Sequence, residues 1–123
     1  MVETKETRQG QIWLADLGTQ EKPVTEGKHY VVIVTCDAIC RIRRAVNVVT
    51  ITTDHNNVLA GLPYVIEVHP HETGLPHVSK VNAAQLISIA NTRLIKYVGM
   101  LNLIVLEKVL GKVKIVLGFE KLP

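Results

Sequence analysis

The chain has 123 residues and a mass of 13.6 kDa, enough for one hydrophobic core and too little for two. It is 47% hydrophobic and 20% charged, with a mean hydropathy of +0.22, which excludes a disordered chain. A net charge of +3 and a pI near 9.0 permit a polyanionic partner without demanding one.

Aromatic residues make up only 4%, and the apolar residues are mainly Val, Ile and Leu, which favours strands. No apolar run is long enough to span a membrane. Met1 to Gln11 is polar and mixed in charge, unlike a signal or transit peptide. The two cysteines, Cys36 and Cys40, cannot staple a secreted mini-protein, and nothing nearby completes a four-ligand metal site. The expectation is a cytoplasmic protein with free thiols, forming one domain over residues 1–123 with residues 1–9 frayed.

Gln11 to Asp16 reads as a first strand, with Ile12 and Leu14 on one face. A polar loop, Leu17 to Lys28, follows and carries Gly18, Pro23 and Gly27. Its length suits a cover that orders over a ligand. Tyr30 to Thr35 is a β-branched run typical of a strand buried on both faces. Ala45 to Thr53 repeats that pattern, and Pro63 to Val68 is a fourth strand stopped by Pro70. Past a turn-rich piece, Ser79 to Ala90 holds two alternating segments, Lys80–Ala83 and Gln85–Ile89.

The last element predicts a helix. Asn102 is placed as its N-cap, Gly118 as its stop, and Leu103, Leu106, Leu110, Val113 and Leu117 as its apolar stripe. Gly111 inside it suggests a close approach by a neighbour. The sum is a small, mostly antiparallel β barrel or sandwich of five to seven strands with a C-terminal helix packed across it.

Several segments in this order resemble the MazF/PemK/Kid toxins of bacterial toxin–antitoxin operons. Arg8-Gln9-Gly10-Gln11-Ile12-Trp13-Leu14-Ala15-Asp16-Leu17 is similar to the family's opening "R-G-[DE]-I-[WY]-x-x-D-L", with Gln9 as one extra residue. Lys28 through Asp37 resembles "R-P-V-L-V-I-x-x-D", and Thr50-Ile51-Thr52-Thr53 resembles "A-I-T-S". Ser79 to Leu94 follows "S-V-x-x-x-[DE]-Q-[IL]-R-T-[IV]-D-x-x-R-L" without gaps, keeping Ser79, Gln85, Leu86, Ser88, Ile89, Arg93 and Leu94. The resemblance implies an SH3-like barrel and a homodimer. It further implies cleavage of single-stranded mRNA without metal or other cofactor, and a cognate antitoxin with an acidic disordered tail, with which such toxins bind DNA. Six positions depart from the pattern. His29-Tyr30 replaces the "R-P" with its catalytic Arg, and Ala84, Ile87, Ala90 and Asn82 replace charged residues.

Cleavage of RNA through its own 2′-OH needs a base for that hydroxyl, an acid for the leaving oxygen and donors for the extra negative charge. Thr52 matches the family's Thr and supplies a hydroxyl donor; otherwise it is an ordinary strand threonine. His29 stands where the Arg is expected. It reads either as an acid/base replacement or as the mark of a site that has lost activity, because imidazole moves protons but lacks the bidentate grip of Arg. Lys28 offers a neighbouring positive charge, with Thr53 and Gln85 as further RNA contacts. Arg41, Arg43 and Arg44 form a basic knot that either steers a phosphate backbone beside the groove or is simply a solvated loop. Trp13 either stacks a base or packs the core. His69, His71 and His77, with Glu67 and Glu72, fit a solvated turn better than a metal site, since Pro70 and Pro76 interrupt them.

A non-catalytic RNA- or protein-binding member of the same fold is the alternative to a ribonuclease. Gyrase poisons of the CcdB kind act through a C-terminal Trp-Gly-Ile, whereas this sequence ends Glu120-Lys121-Leu122-Pro123.

Overall fold

A computed structural model describes residues 6–22 and 26–122. It contains six strands: β1 (Gln11–Asp16), β2 (Lys28–Ile33), β3 (Ala45–Thr52), β4 (Val65–Val68), β5 (Ser79–Ala90) and β6 (Leu94–Met100). Two single-turn helices, α1 (Asp37–Cys40) and α2 (Pro70–Thr73), lie between strands, and α3 (Leu103–Leu117) follows β6. All strand pairs are antiparallel, in the order β4-β5-β3-β2-β1-β6. Among the described residues β4 and β6 are the edges and do not pair, so the expected barrel is an unclosed sheet with a C-terminal helix.

Alternation along the strands sends neighbouring residues to opposite faces, and here both faces are buried. Ile12, Val32, Val49 and Ile51 pack with Val81, Leu101 and the α3 residues Val105, Leu106 and Val109. Their neighbours Trp13, Ala15, Val31, Ile33, Val46 and Val48 form a second cluster with Leu17, Cys40, Ile89 and Leu94. Continuous β-branched runs in β2 and β3 are therefore required by two cores rather than one.

The helix limits match the sequence reading. Asn102 accepts a hydrogen bond from the Val105 N–H at 2.9 Å, and Gly118 ends the helix in the left-handed region, at φ +83°. The buried stripe, however, runs through Val105, Leu106, Val109, Leu110 and Val113, while Leu103 and Leu117 are 68% and 54% exposed. The expected stripe was rotated by part of a turn, because a helix apolar on most sides does not reveal which side faces the sheet. Gly111 faces open space, so no close approach accounts for it. Such an approach occurs instead at Gly99, where an added Cβ would lie 2.8 Å from the carbonyl oxygen of Thr73.

Strand β6 had no counterpart in the sequence reading. It is an edge strand whose pairing with β1 shifts register at two points, so its alternation is broken. The two segments of Ser79–Ala90 form one strand: pairing to β3 passes from Thr50↔Asn82 to Val49↔Leu86, leaving Ala83, Ala84 and Gln85 as a bulge. The flanks of the Leu17–Lys28 loop are tied together by Leu17 N–H to Gly27 O (2.7 Å) and Gly27 N–H to Gly18 O (2.9 Å). Its residues 23–25, including Pro23, lie outside the described residues, and so does the expectation that the loop covers a ligand.

Candidate active site

Thr52 is the last residue of β3, and its register partner on β5 is Lys80. Where β3 ends against the start of β5, a cleft of about 80 Å³ opens, lined by Tyr30, Ile51, Thr52, Thr53, Leu75, Pro76, His77 and Ser79. It exceeds the roughly 10–15 Å³ of such space that one water molecule needs. Ser79 is buried, and its Oγ donates to the carbonyl oxygen of His77 at 3.0 Å, fixing the chain just before β5. The sequence reading supplied Thr52 and Thr53; Tyr30, His77 and Ser79 join them only through strand pairing. Signals for all three were present, in the His29-Tyr30 departure, the histidine-rich turn and the matched Ser79, but none indicated a shared cleft.

His29 lies on β2 opposite Ala15, one residue beyond the last β2–β3 pair, Tyr30↔Ile51. It is half-buried, alternates with Tyr30 along β2, and is not among the described residues that line the Thr52 cleft. Lys28, exposed, pairs in register with Asp16. Gln85 sits in the β5 bulge.

Behind Thr53 is a buried polar lock that the sequence did not reveal. Lys80 Nζ donates to Asp54 Oδ2 at 3.2 Å and to Asn57 Oδ1, with the Lys80 and Asp54 side chains only 9% and 8% exposed. Asp54 also accepts from the N–H groups of Leu59 (2.7 Å) and Val58 (2.9 Å). Burial pushes the Asp54 carboxyl up, but the Leu59 and Val58 N–H groups and Lys80 outweigh it and hold it below its ordinary value. The chain leaving Thr52 and Thr53 is therefore anchored within two residues of the cleft.

The arginines lie elsewhere. Arg41, Arg43 and Arg44, with Arg8, Asp37, Cys40 and Asn91, line a cleft of about 450 Å³ before the start of β3. Eight residues of β3 separate Arg44 from Thr52, roughly 25 Å of extended chain. The basic knot is thus at the opposite end of the strand from the groove it was expected to flank. Arg8 pairs with Glu6 at 3.1 Å, and Arg43 donates to Asn47 Oδ1 at 3.2 Å.

Trp13 is buried, donates to Gln11 Oε1 at 3.0 Å and meets Tyr97 edge-on at 5.6 Å; its role is core packing. Both cysteines are free. Burial, reinforced by Asp37, pushes the Cys40 thiol up, making it a structural group rather than a nucleophile. His69 and His71 stack at 6.0 Å, His69 Nε2 lies 3.4 Å from Glu67, and the His69 N–H caps against Glu72 at 3.0 Å. Among the described residues no three His, Cys, Asp or Glu side chains are grouped so as to hold a metal ion. Nor is any described helix long and apolar enough to cross a membrane.

A family model described as the PemK-like, MazF-like toxin of type II toxin–antitoxin systems matches residues 8–117. The chain belongs to this family. Solved structures share its fold. An endoribonuclease from a Mycobacterial species, in complex with its cognate antitoxin, is 23% identical with a TM-score of 0.76, over 94% of this chain and 98% of that one. MazF from Deinococcus radiodurans is 18% identical with a TM-score of 0.76, over 94% and 99%. The Mycobacterium tuberculosis toxin MazF-mt6 is 19% identical with a TM-score of 0.72, over 90% and 99%. No curated protein matches the sequence.

Proposed function

We infer that this family member is an endoribonuclease toxin that cleaves single-stranded mRNA without a metal, acts in the cytoplasm as a homodimer of single-domain chains, and is held in check by an antitoxin with an acidic tail. The observation that carries this reading is the open cleft at the end of β3, where Thr52 and Thr53 stand beside Tyr30, His77 and Ser79 on the family's scaffold. The family membership and the structural likeness to endoribonucleases, one of them in complex with its antitoxin, support it.

In this reading the ribose 2′-OH attacks its own phosphodiester, and the Thr52 hydroxyl donates to a non-bridging oxygen as negative charge builds on the phosphate. The rim positions His29 and Lys28 hold the incoming backbone. Gln85 and the arginines at the far end of β3 contact RNA outside the scissile step. Purified protein incubated with a defined mRNA, with and without EDTA, followed by mapping of the ends, tests the reading. Discrete cleavage that survives EDTA is expected.

One observation favours a second reading, in which the protein binds RNA or a protein partner without cutting. The family's catalytic Arg is absent, and the residue in its place does not line the Thr52 cleft. Tight RNA binding with no cleavage would establish it.

A further inference from the structure

We propose that His77, not His29, is the proton-transferring catalytic residue of the Thr52 cleft. This rests on the ribonuclease reading and names a group within it. Two facts separate the histidines. His77 lines the cleft together with Thr52, Thr53 and Tyr30, whereas His29 lies on the rim of β2 and does not line it. The segment carrying His77 is also held in place: Pro76 restricts the backbone before it, and the buried Ser79 hydroxyl donates to the His77 carbonyl at 3.0 Å. The residue remains exposed, as a group that must exchange protons with solvent requires.

The chemistry needs a base within hydrogen-bond reach of the 2′-OH. A neutral imidazole nitrogen of His77 takes the 2′-OH proton as the O2′–P bond forms. The P–O5′ bond then breaks, and O5′ takes a proton from water. The resulting hydroxide is neutralised by the proton on the His77 imidazolium. The products are a 2′,3′-cyclic phosphate and a free 5′-OH, and the enzyme returns to its starting state. Thr52 donates to the phosphate in the same cleft, so proton transfer and charge stabilisation converge there.

The titratable and charged groups on the surrounding elements are Tyr30, His29 and Lys28 on β2, Asp54 and His55 after β3, Tyr64 before β4 and Glu67 on it, His69, His71 and Glu72 around α2, and Lys80 on β5. Asp54 and Lys80 are paired with each other, Glu67 with His69, and Glu72 caps the His69 N–H. Among the described residues, Tyr30 is the other titratable side chain lining the cleft.

The test is single-turnover cleavage of a defined RNA between about pH 5 and 8, where imidazoles titrate. It compares wild type, His77→Ala and His29→Ala, with binding to an uncleavable 2′-deoxy analogue measured in parallel. The proposal expects His77→Ala to lose about 10²–10⁴-fold in rate, to lose the rise of rate with pH, to keep its affinity for the analogue, and to recover activity with added imidazole. His29→Ala should weaken analogue binding and retain the pH dependence. Should the Ala variant lose its fold by circular dichroism, His77→Gln, which keeps polar bulk, is read in the same way.

Cleavage by His77→Ala at near wild-type rate overturns the proposal and leaves the ribonuclease reading standing, as does a pH limb that persists in His77→Ala and disappears in His29→Ala. Absence of cleavage by the wild type overturns the ribonuclease reading, and the role of His77 falls with it.

Discussion

The two ends of β3 carry two different kinds of polar surface. At the Thr52 end the cleft is small, its polar groups come from β2, β3, β5 and the segments beside them, and a buried Lys80–Asp54–Asn57 lock holds the chain that leaves it. At the Ala45 end the cleft is several times larger and lined by four arginines from loops and the N-terminal segment. Roughly 25 Å of strand lies between them. A group that must meet a reacting atom within a hydrogen bond needs the first kind of place, and a group that attracts a polyanion through a screened field is adequately served by the second. In the proposed function the division of labour is chemistry at one end and backbone attraction at the other.

The largest effect should come from the chemical end. Thr52→Val removes one hydroxyl and keeps the shape, so the cleavage rate should fall about 10²–10³-fold, as when an oxyanion donor is lost, with an unchanged circular dichroism spectrum. An unchanged rate would place the chemistry elsewhere. Replacing His29 with Arg, the residue expected at the head of β2, sharpens the same end. A gain in rate would show that positive charge at the rim limits the step, and a loss that the site has adapted to the imidazole.

At the other end, changing Arg41, Arg43 and Arg44 together to Ala should weaken binding to long RNA. It should also flatten the dependence of log K on log salt by about 2, taking about 0.7 per phosphate contact on a single strand. The loss should shrink as the RNA is shortened below the distance between the two ends. If it does not shrink, the arginines act near Thr52 or on the fold.

Two smaller effects separate the ends from the scaffold. Asp54 is held below its ordinary pKa in the folded protein, so its contribution to stability is fully present above the unfolded value near 3.8 and is lost as pH falls through the lower folded value. Acid titration followed by fluorescence should show this fall in the wild type and not in Asp54→Asn, whose melting temperature should already be reduced at neutral pH. Asn102→Ala removes the α3 cap and should cost about 1 kcal/mol in urea unfolding. Specific cleavage activity should be unaffected, since α3 touches neither cleft.

Much of this molecule was legible from local pattern. β1 and the limits of α3 follow from alternation, a capping Asn and a terminating Gly, because each is decided by the preferences of neighbouring residues. Thr52 and Thr53 were legible as a strand end with matching family residues. The rest depended on partners distant in sequence. β6 is defined by its shifted pairing with β1, which no local alternation records. The buried face of α3 was misjudged because the sheet selects it, and Gly111 carried no packing while Gly99 did. His77 joins Thr52 only because β5 pairs antiparallel with β3 at Thr52↔Lys80, and Arg44 is kept from Thr52 by the full length of the strand between them.

By itself, then, the sequence determined the strand-rich class, the helix limits and the threonine pair, since propensity, capping and periodicity act over a few residues. Only the tertiary structure decided which histidine lines the cleft, that Lys80 is buried against Asp54, and that the arginines stand apart. Strand register and direction set those distances, and register is fixed by burying two cores at once rather than by any residue's own preference.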